Sequence, residues 1–171
     1  MEKIYLYIYK EKKTADDIIN VAKELFHKNE LFMTKDENGK PFLNDGIYVS
    51  ISHTKQLYTF GLSRFNFGID LEEYRDIDYR IVDRIFSKNE KDYFLEQGKT
   101  QEAYTEIWTR KEAYIKYDGQ GMKIIKSIDT FDEKIKDFFV TIKNNNYLMT
   151  IFSNAKFQYE IKEEEDGINK E

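Results

Sequence analysis

The sequence contains no cysteine, a single proline and only two histidines among its 171 residues. The absence of cysteine excludes disulfides, thiolate metal sites and cysteine nucleophiles, and it is typical of a reducing compartment. Two histidines are too few for a histidine-rich zinc site. No apolar run approaches the roughly 18 residues that a membrane helix needs, and the first residues do not resemble a signal peptide. We therefore expect a cytoplasmic protein that does not contact a membrane.

A large excess of charge of one sign is also missing. The chain has 27 Lys and Arg residues against 32 Asp and Glu residues, which leaves a formal net charge of −5. Without a domain-wide basic field, we do not expect a protein that binds nucleic acid through its phosphates. What the chain does have is 13 tyrosines and 13 phenylalanines, enough large apolar side chains for a folded core.

The order of predicted elements indicates an α+β protein. Runs of β-branched and aromatic residues predict strands over residues 4–9, 48–52, 57–62, 66–71, 138–143, 147–152 and 157–162, the last three as a meander. Helical periodicity predicts helices that begin at Thr14, Asp76 and Gln101, and the last ends before the turn at Gly119. A similar strand and helix plan occurs twice, so we expect two similar halves, residues 1–65 and 66–171.

Two carboxylates share one face of the predicted fourth strand. Asp70 and Glu72 are two residues apart in the segment GIDLE, and side chains two apart on a strand project to the same side. Such a pair repels unless a hard cation such as Mg²⁺ lies between its members. Acidic pairs at strand ends are also common on solvated faces, so this spacing alone leaves both interpretations open.

A third carboxylate stands between two cations on the predicted helix that begins at Gln101. Lys111, Glu112 and Lys116 lie on adjacent turns, so one helix could present all three to a single site. On spacing alone, the favoured interpretation is a pair of surface ion contacts.

A third segment combines small hydroxyls with an imidazole. Ser52, His53 and Thr54 follow a strand, and Lys40 lies upstream in the segment GKP. These groups could bind a phosphate, although His53 could equally be an ordinary turn residue. No G-x-S-x-G motif occurs, so a serine hydrolase triad is not indicated.

Taken together, the order and spacing of these segments resemble those of the 4′-phosphopantetheinyl transferase superfamily. The segments that carry the resemblance are GKP at 39–41, SHT at 52–54, GIDLE at 68–72, FSKNE at 86–90, WTRKEAYIK at 108–116 and GQGM at 119–122. Because 67 residues precede Gly68, the chain resembles a short member of the longer, two-half type, which activates nonribosomal peptide and polyketide synthases.

The resemblance implies an enzyme with two α/β halves related by pseudo-twofold symmetry, the second of which carries the metal-binding and catalytic motifs. It also implies transfer of the 4′-phosphopantetheine group of coenzyme A to a serine of an apo acyl or peptidyl carrier protein. The implied cofactor is Mg²⁺, with Mn²⁺ as a substitute, and the implied product is adenosine 3′,5′-bisphosphate. By the same resemblance we expect a monomer.

The resemblance also assigns roles to individual residues. Asp70, Glu72 and Glu112 would bind the metal, Glu112 or Glu90 would accept the serine proton, and Lys116 would lie near the diphosphate. Coenzyme A would be contacted by Lys40, Pro41, Ser52, His53, Lys111 and Lys116. Two alternatives stay open: a non-catalytic binder of coenzyme A or nucleotides, and a Mg²⁺-dependent diphosphate hydrolase on the same scaffold.

Overall fold

Two β-sheets and the helices packed on them make up the part of the chain that the computed structural model describes, residues 1–164. The strands are β1 (Glu2–Tyr9), β2 (Met33–Lys35), β3 (Pro41–Leu43), β4 (Ile47–His53), β5 (Tyr58–Ser63), β6 (Gly68–Glu73), β7 (Phe139–Lys143), β8 (Tyr147–Phe152) and β9 (Phe157–Glu163). The α-helices are α1 (Ala15–Phe26), α2 (Tyr79–Ile85), α3 (Lys88–Glu96) and α4 (Gln101–Asp118), and two short 3₁₀ helices cover Met122–Ser127 and Lys136–Phe138. The predicted mixed α+β class is confirmed.

The first sheet has six strands in the order β2-β3-β4-β5-β1-β9. Helix α1 covers one face of it and buries Ile18 and Ala22 against strand residues such as Phe60. The helix begins where predicted because the Thr14 hydroxyl accepts a hydrogen bond from the Asp17 backbone, while the Asp17 carboxylate accepts one from the Thr14 backbone. This reciprocal capping box satisfies two amide groups that a helix start leaves unpaired.

The second sheet has three antiparallel strands in the order β6-β8-β7. Helix α4 packs on it, and a second core cluster, which includes Ile4 and Leu6 of β1 and Ile69 and Leu71 of β6, joins the two sheets. The strand and the helix predicted to carry the chemistry, β6 and α4, are therefore neighbours. Among residues 1–164, we find no helix with both the length and the apolarity to span a bilayer.

Gly68 allows β6 and α4 to touch through their backbones. A Cβ atom at this position would lie 2.0 Å from the carbonyl oxygen of Ala113 and 2.5 Å from the amide nitrogen of Tyr117. Backbone atoms in a packed interface cannot move aside as a side chain can. We therefore expect Gly68→Ala to lower the free energy of unfolding by about 3 kcal/mol, measured by urea denaturation. An unchanged unfolding midpoint would contradict this contact.

Three features differ from the sequence-based expectations. The predicted C-terminal meander is wrong for its last strand, since β9 leaves β8 and pairs parallel to β1 in the first sheet. Strands β2 and β3 were not predicted, because three residues are too few to show an alternating pattern. Helix α3 was not predicted either, although Ser87 and Glu90 form a capping box at its start. The acidic composition of residues 163–171 predicts a frayed tail, but Glu163 belongs to β9, and residues 165–171 lie outside the described residues.

Candidate active site

Two serine hydroxyls join the first sheet to β6. Ser50 Oγ accepts a hydrogen bond from the Ile69 amide at 3.0 Å, and Ser52 Oγ accepts one from the Leu71 amide at 3.0 Å. Ser52 Oγ also donates to Asp70 Oδ1 at 3.1 Å. The hydroxyls thus satisfy backbone amides of a strand that has no β-partner on that side, and they fix the position of Asp70.

Asp70 is buried and only half satisfied. Its Oδ1 accepts a hydrogen bond from Lys116 Nζ at 2.9 Å, while its Oδ2 is buried with no hydrogen-bond partner. Burial raises the pKa of Asp70 above its ordinary value, and the adjacent Lys116 ammonium opposes this rise. A buried carboxylate oxygen without a partner is costly unless a ligand completes it.

Glu72 and Glu112 lie close enough to Asp70 for its negative charge to affect their pKa values. Burial and then the Asp70 charge raise the pKa of Glu72 to about 7. Burial and then the Asp70 charge also raise the pKa of Glu112. Each carboxylate therefore disfavours the ionisation of the others, as expected where several of them converge.

The donor set fits a hard divalent cation, although the carboxylates are not preassembled around one. In residues 1–164, no three His, Cys, Asp or Glu side chains are arranged closely enough to enclose a metal ion as they stand. All three candidate ligands offer oxygen, which Mg²⁺ prefers, and the unpartnered Asp70 Oδ2 supplies an open ligand position. A cation would draw the carboxylates together and offset their repulsion.

The raised pKa of Glu72 predicts a pH dependence of stability in cation-free buffer. The folded state, with a pKa of about 7 against the ordinary 4.5, binds this proton more tightly than the unfolded state. The resulting stabilisation is complete below the unfolded pKa and is lost as the pH rises through the folded pKa. With EDTA present, we expect the gain in urea midpoint from Glu72→Gln to be larger at pH 8 than at pH 5. A gain that does not change with pH would contradict this expectation.

A cavity of about 370 Å³ is connected to these carboxylates through Lys116, which lies on its wall and donates a hydrogen bond to Asp70. Lys40, Pro41, Ser50 and Lys116 lie on its wall, between the hairpin that joins β2 to β3, the edge of β4 and the end of α4. The structure thus places Lys40 and Pro41, two of the residues expected to contact coenzyme A, beside Lys116. Lys116 is therefore the side chain that the cavity wall and the Asp70 carboxylate have in common.

Lys40 is half-buried, and its ammonium group donates three hydrogen bonds, all to uncharged oxygens. Its Nζ donates to the side-chain oxygen of Asn66 and to the carbonyl oxygens of Phe67 and Tyr117. Burial lowers the pKa of Lys40 to about 8. Lys40 therefore connects the start of β6 to the end of α4 through hydrogen bonds. It also forms part of the cavity wall.

His53 lies on the other side of β4 from Ser52, because neighbouring residues on a strand face opposite ways. Its exposed side chain lines a second cavity, of about 260 Å³, together with Lys10, Lys12, Thr54 and Lys55. The structure therefore does not bring Ser52 and His53 to one point. Ser52 is a buried support for Asp70, and His53 lies in a basic pocket.

Glu90 and Lys111 pair with each other away from this site. The two side chains are completely buried and form an ion pair at 3.0 Å. Glu90 also accepts hydrogen bonds from the backbone amides of Ser87 and Thr130, and Lys111 donates to two backbone carbonyls of the 3₁₀ segment after α4. With no solvent-accessible face, neither side chain can reach a bound coenzyme A or an incoming serine. The expected roles of Glu90 as a base and Lys111 as a coenzyme A contact do not fit this geometry.

Arg75 and Trp108 complete the surroundings of Glu72. Arg75 Nη1 lies 3.6 Å from Glu72 Oε1, and its guanidinium lies over the Trp108 ring, 4.6 Å from the centroid. Arg75 was not among the predicted site residues. A sequence pattern that could have indicated its role is a positive charge three residues after Glu72, just past the end of the strand.

Fold and site together define a class of protein in which acidic residues on a strand lie near an acidic residue on the long helix that packs against that strand. The family model described as the 4′-phosphopantetheinyl transferase superfamily matches residues 66–165. This match covers more than half of the chain, and the chain belongs to that superfamily.

Curated relatives agree with this assignment. The chain is 31% identical over 153 residues to 4′-phosphopantetheinyl transferase gsp of Aneurinibacillus migulanus, a match that covers 86% of this chain and 61% of the relative. It is 27% identical over 115 residues to 4′-phosphopantetheinyl transferase ffp of Bacillus subtilis, covering 65% of this chain and 50% of the relative. It is 32% identical over 97 residues to 4′-phosphopantetheinyl transferase psf-1 of Bacillus pumilus, covering 54% and 42%. The chain thus spans between two fifths and three fifths of the length of these relatives.

Proposed function

We propose that this protein transfers the 4′-phosphopantetheine group of coenzyme A to a serine of an apo carrier protein. The observation that carries the proposal is the proximity of Asp70 to Glu72, Glu112 and Lys116, with Lys116 on the wall of the 370 Å³ cavity, in a chain of this superfamily. The names of the relatives support the same activity.

In the proposed reaction, the carrier serine oxygen attacks the diphosphate phosphorus that bears the pantetheine. A new oxygen–phosphorus bond forms, the bond to adenosine 3′,5′-bisphosphate breaks, and the serine proton passes to a base. Of the two carboxylates that the sequence offers as the base, we propose Glu112, because Glu90 is completely buried in its ion pair with Lys111.

Lys116 is placed to act on the leaving group. Its Nζ is partly exposed, at 29% of the side chain, and is held against Asp70 at the cavity wall. From there it can neutralise or protonate the departing bisphosphate, which stabilises charge that develops only in the transition state. Asp70, Glu72 and Glu112 would hold the metal. A bound Mg²⁺ or Mn²⁺ supplies Lewis-acid stabilisation of the negative diphosphate oxygens.

The basic pocket around His53 is our proposed contact for the 3′-phosphate of coenzyme A. Lys12, His53 and Lys55 line this pocket. Ile51, which lines the larger cavity, is two residues before His53 on β4. Losing one hydrogen bond to a charged phosphate costs about 1.5 kcal/mol or more. We expect His53→Ala to raise the KM for coenzyme A about tenfold, but to leave the KM for dephospho-coenzyme A, which lacks that phosphate, nearly unchanged.

The other histidine offers a matched control for this measurement. His27 closes α1 with a left-handed backbone (φ 52°), which asparagine tolerates, so His27→Asn removes an imidazole without straining the helix end. Its KM should equal that of the wild type for both substrates. If His53→Ala raised the KM equally for coenzyme A and dephospho-coenzyme A, His53 would not contact the 3′-phosphate.

We also propose, as part of the same account, that residues 1–65 and 66–171 correspond to two similar halves related by pseudo-twofold symmetry. The helix-on-sheet packing of α1 and of α4 supports it. Strand β9 crosses this division, since it belongs to the second half in sequence and pairs with β1 of the first. A monomer acting in the cytoplasm is the arrangement we propose with it.

The two remaining alternatives differ from transfer in one product measurement. Wild-type protein is incubated with coenzyme A and Mg²⁺, with and without an apo carrier, and adenosine 3′,5′-bisphosphate is quantified. Transfer predicts release that requires the carrier. Equal release without the carrier would indicate a diphosphate hydrolase, and tight coenzyme A binding with no release under either condition would indicate a binder.

A further inference from the structure

Arg75 lies directly behind one of the proposed metal ligands and is fixed from two sides. Its guanidinium lies over the indole of Trp108, and its backbone amide donates to Thr105 Oγ1 at 2.9 Å. Both partners are on α4, so the residue that follows β6 is attached to the helix that carries Glu112. The side chain is about one third exposed, at 36%, and its charged end reaches Glu72 Oε1.

The charges around the three carboxylates are unevenly distributed. Lys116 is hydrogen-bonded to Asp70, whereas Arg75 is the cation nearest to Glu72. The Arg75 charge lowers the pKa of all three carboxyl groups, while Lys116 does so for Asp70 and Glu112. Trp108 also lowers the pKa of Glu72, so it too lies near this carboxylate. The Glu72 carboxylate thus lies beside the stacked Arg75 and Trp108 side chains.

We propose that Arg75 is a positioning residue, which together with Trp108 orients the Glu72 carboxylate so that a divalent cation can bind between it and Asp70. The inference rests on the proposed function. It states that Arg75, which is not itself a metal ligand, increases the affinity of the proposed site for a divalent cation. Groups that hold a metal-binding side chain from behind commonly change metal affinity by roughly 10- to 100-fold when they are replaced.

An arginine suits this position better than a lysine does. Its planar guanidinium can lie flat on an indole ring and still direct N–H groups at a carboxylate in the same plane. A lysine would keep the positive charge but would lose that orientation. Arg75→Lys therefore separates the contribution of charge from that of geometry, and Arg75→Met removes both.

The test is the binding of Mg²⁺ to the intact protein, measured by calorimetry with MgCl₂ as the titrant. Trp108 is the only tryptophan in the chain, so its emission provides a second record of the same titration. We expect Arg75→Met to raise the Kd for Mg²⁺ at least tenfold, with Arg75→Lys in between and the thermal unfolding midpoints close to that of the wild type. Raising the Mg²⁺ concentration should restore most of the transfer rate of Arg75→Met.

Arg64 provides a matched control, because it too lies over an aromatic ring and pairs with a carboxylate. Its guanidinium is 4.9 Å from the Phe26 ring centroid and its Nη1 is 3.1 Å from Asp45 Oδ2. Arg64→Met makes the same change of charge outside the site and should leave the Kd for Mg²⁺ unchanged.

Several results would overturn the inference. Mg²⁺ binding by Arg75→Met that is as tight as in the wild type would mean that Arg75 does not position Glu72, and tighter binding would mean that it only repels the cation. A wild-type protein that binds no Mg²⁺ would also refute it. Because this readout is cation binding, it can fail while carrier-dependent release of bisphosphate succeeds, or succeed while that release fails.

Discussion

Glu112→Gln is expected to lower the rate of phosphopantetheine transfer by roughly 10²- to 10⁴-fold, the range typical of losing a positioned general base. Glutamine has nearly the same shape, but it cannot accept a proton and is a poor ligand for Mg²⁺. The substitution therefore removes both roles proposed for Glu112. The rate is measured as formation of holo-carrier under saturating coenzyme A.

The same substitution should not destabilise the protein. Because burial and the Asp70 charge raise the pKa of Glu112, its ionised form costs folding free energy near neutral pH. In cation-free buffer near pH 8, we expect Glu112→Gln to be as stable as the wild type or more stable. Glu102→Gln, on the first turn of the same helix and paired with exposed Lys143, is the matched control and should retain full activity. An active Glu112→Gln would refute the proposed site.

Lys111→Met is expected to lower the free energy of unfolding by about 3–5 kcal/mol, because it leaves the Glu90 carboxylate buried without its cation. Burial lowers the pKa of Lys111 and the Glu90 charge opposes this, as expected for a lysine kept charged by its partner. The measurement is denaturation by urea, fitted with a common slope for all variants.

Two further variants separate the ion pair from general damage. The double variant Glu90→Gln, Lys111→Met removes both charges and should recover part of the lost stability, since glutamine can still cap α3. Lys88→Met removes an exposed lysine paired with Asp92 and should change stability by less than about 0.5 kcal/mol. Where Lys111→Met remains folded, its KM for coenzyme A should equal that of the wild type. A rise in the KM for coenzyme A alone would indicate that Lys111 contacts coenzyme A after all.

The sequence was informative about the candidate site where its residues belong to one continuous segment. Asp70 and Glu72 lie on one strand and Glu112 and Lys116 lie one helical turn apart, as local spacing predicted. That the two pairs meet depends on the packing of α4 against β6, for which Gly68 leaves the space. The motif order suggested that packing, and no local pattern could establish it.

The differences between the sequence-based expectations and the structure also have physical reasons. Glu90 and Lys111 look like surface charges in a sequence, because only the tertiary fold decides whether a charged pair is enclosed. Local signals were present in two places: the S-x-x-E spacing at Ser87 marks a helix start, and strand alternation puts Ser52 and His53 on opposite faces. The partner of β9 could not be read locally, since an alternating run predicts a strand but does not indicate the sheet that it joins.

The most direct test of the central claim is the intact mass of apo acyl and peptidyl carrier proteins after incubation with this protein, coenzyme A and Mg²⁺. The account predicts that a carrier gains one phosphopantetheine on its acceptor serine. It predicts no gain in carriers whose acceptor serine is alanine, and none with Glu112→Gln. Consumption of coenzyme A with every carrier mass unchanged would contradict it, and so would a carrier modified equally well by Glu112→Gln.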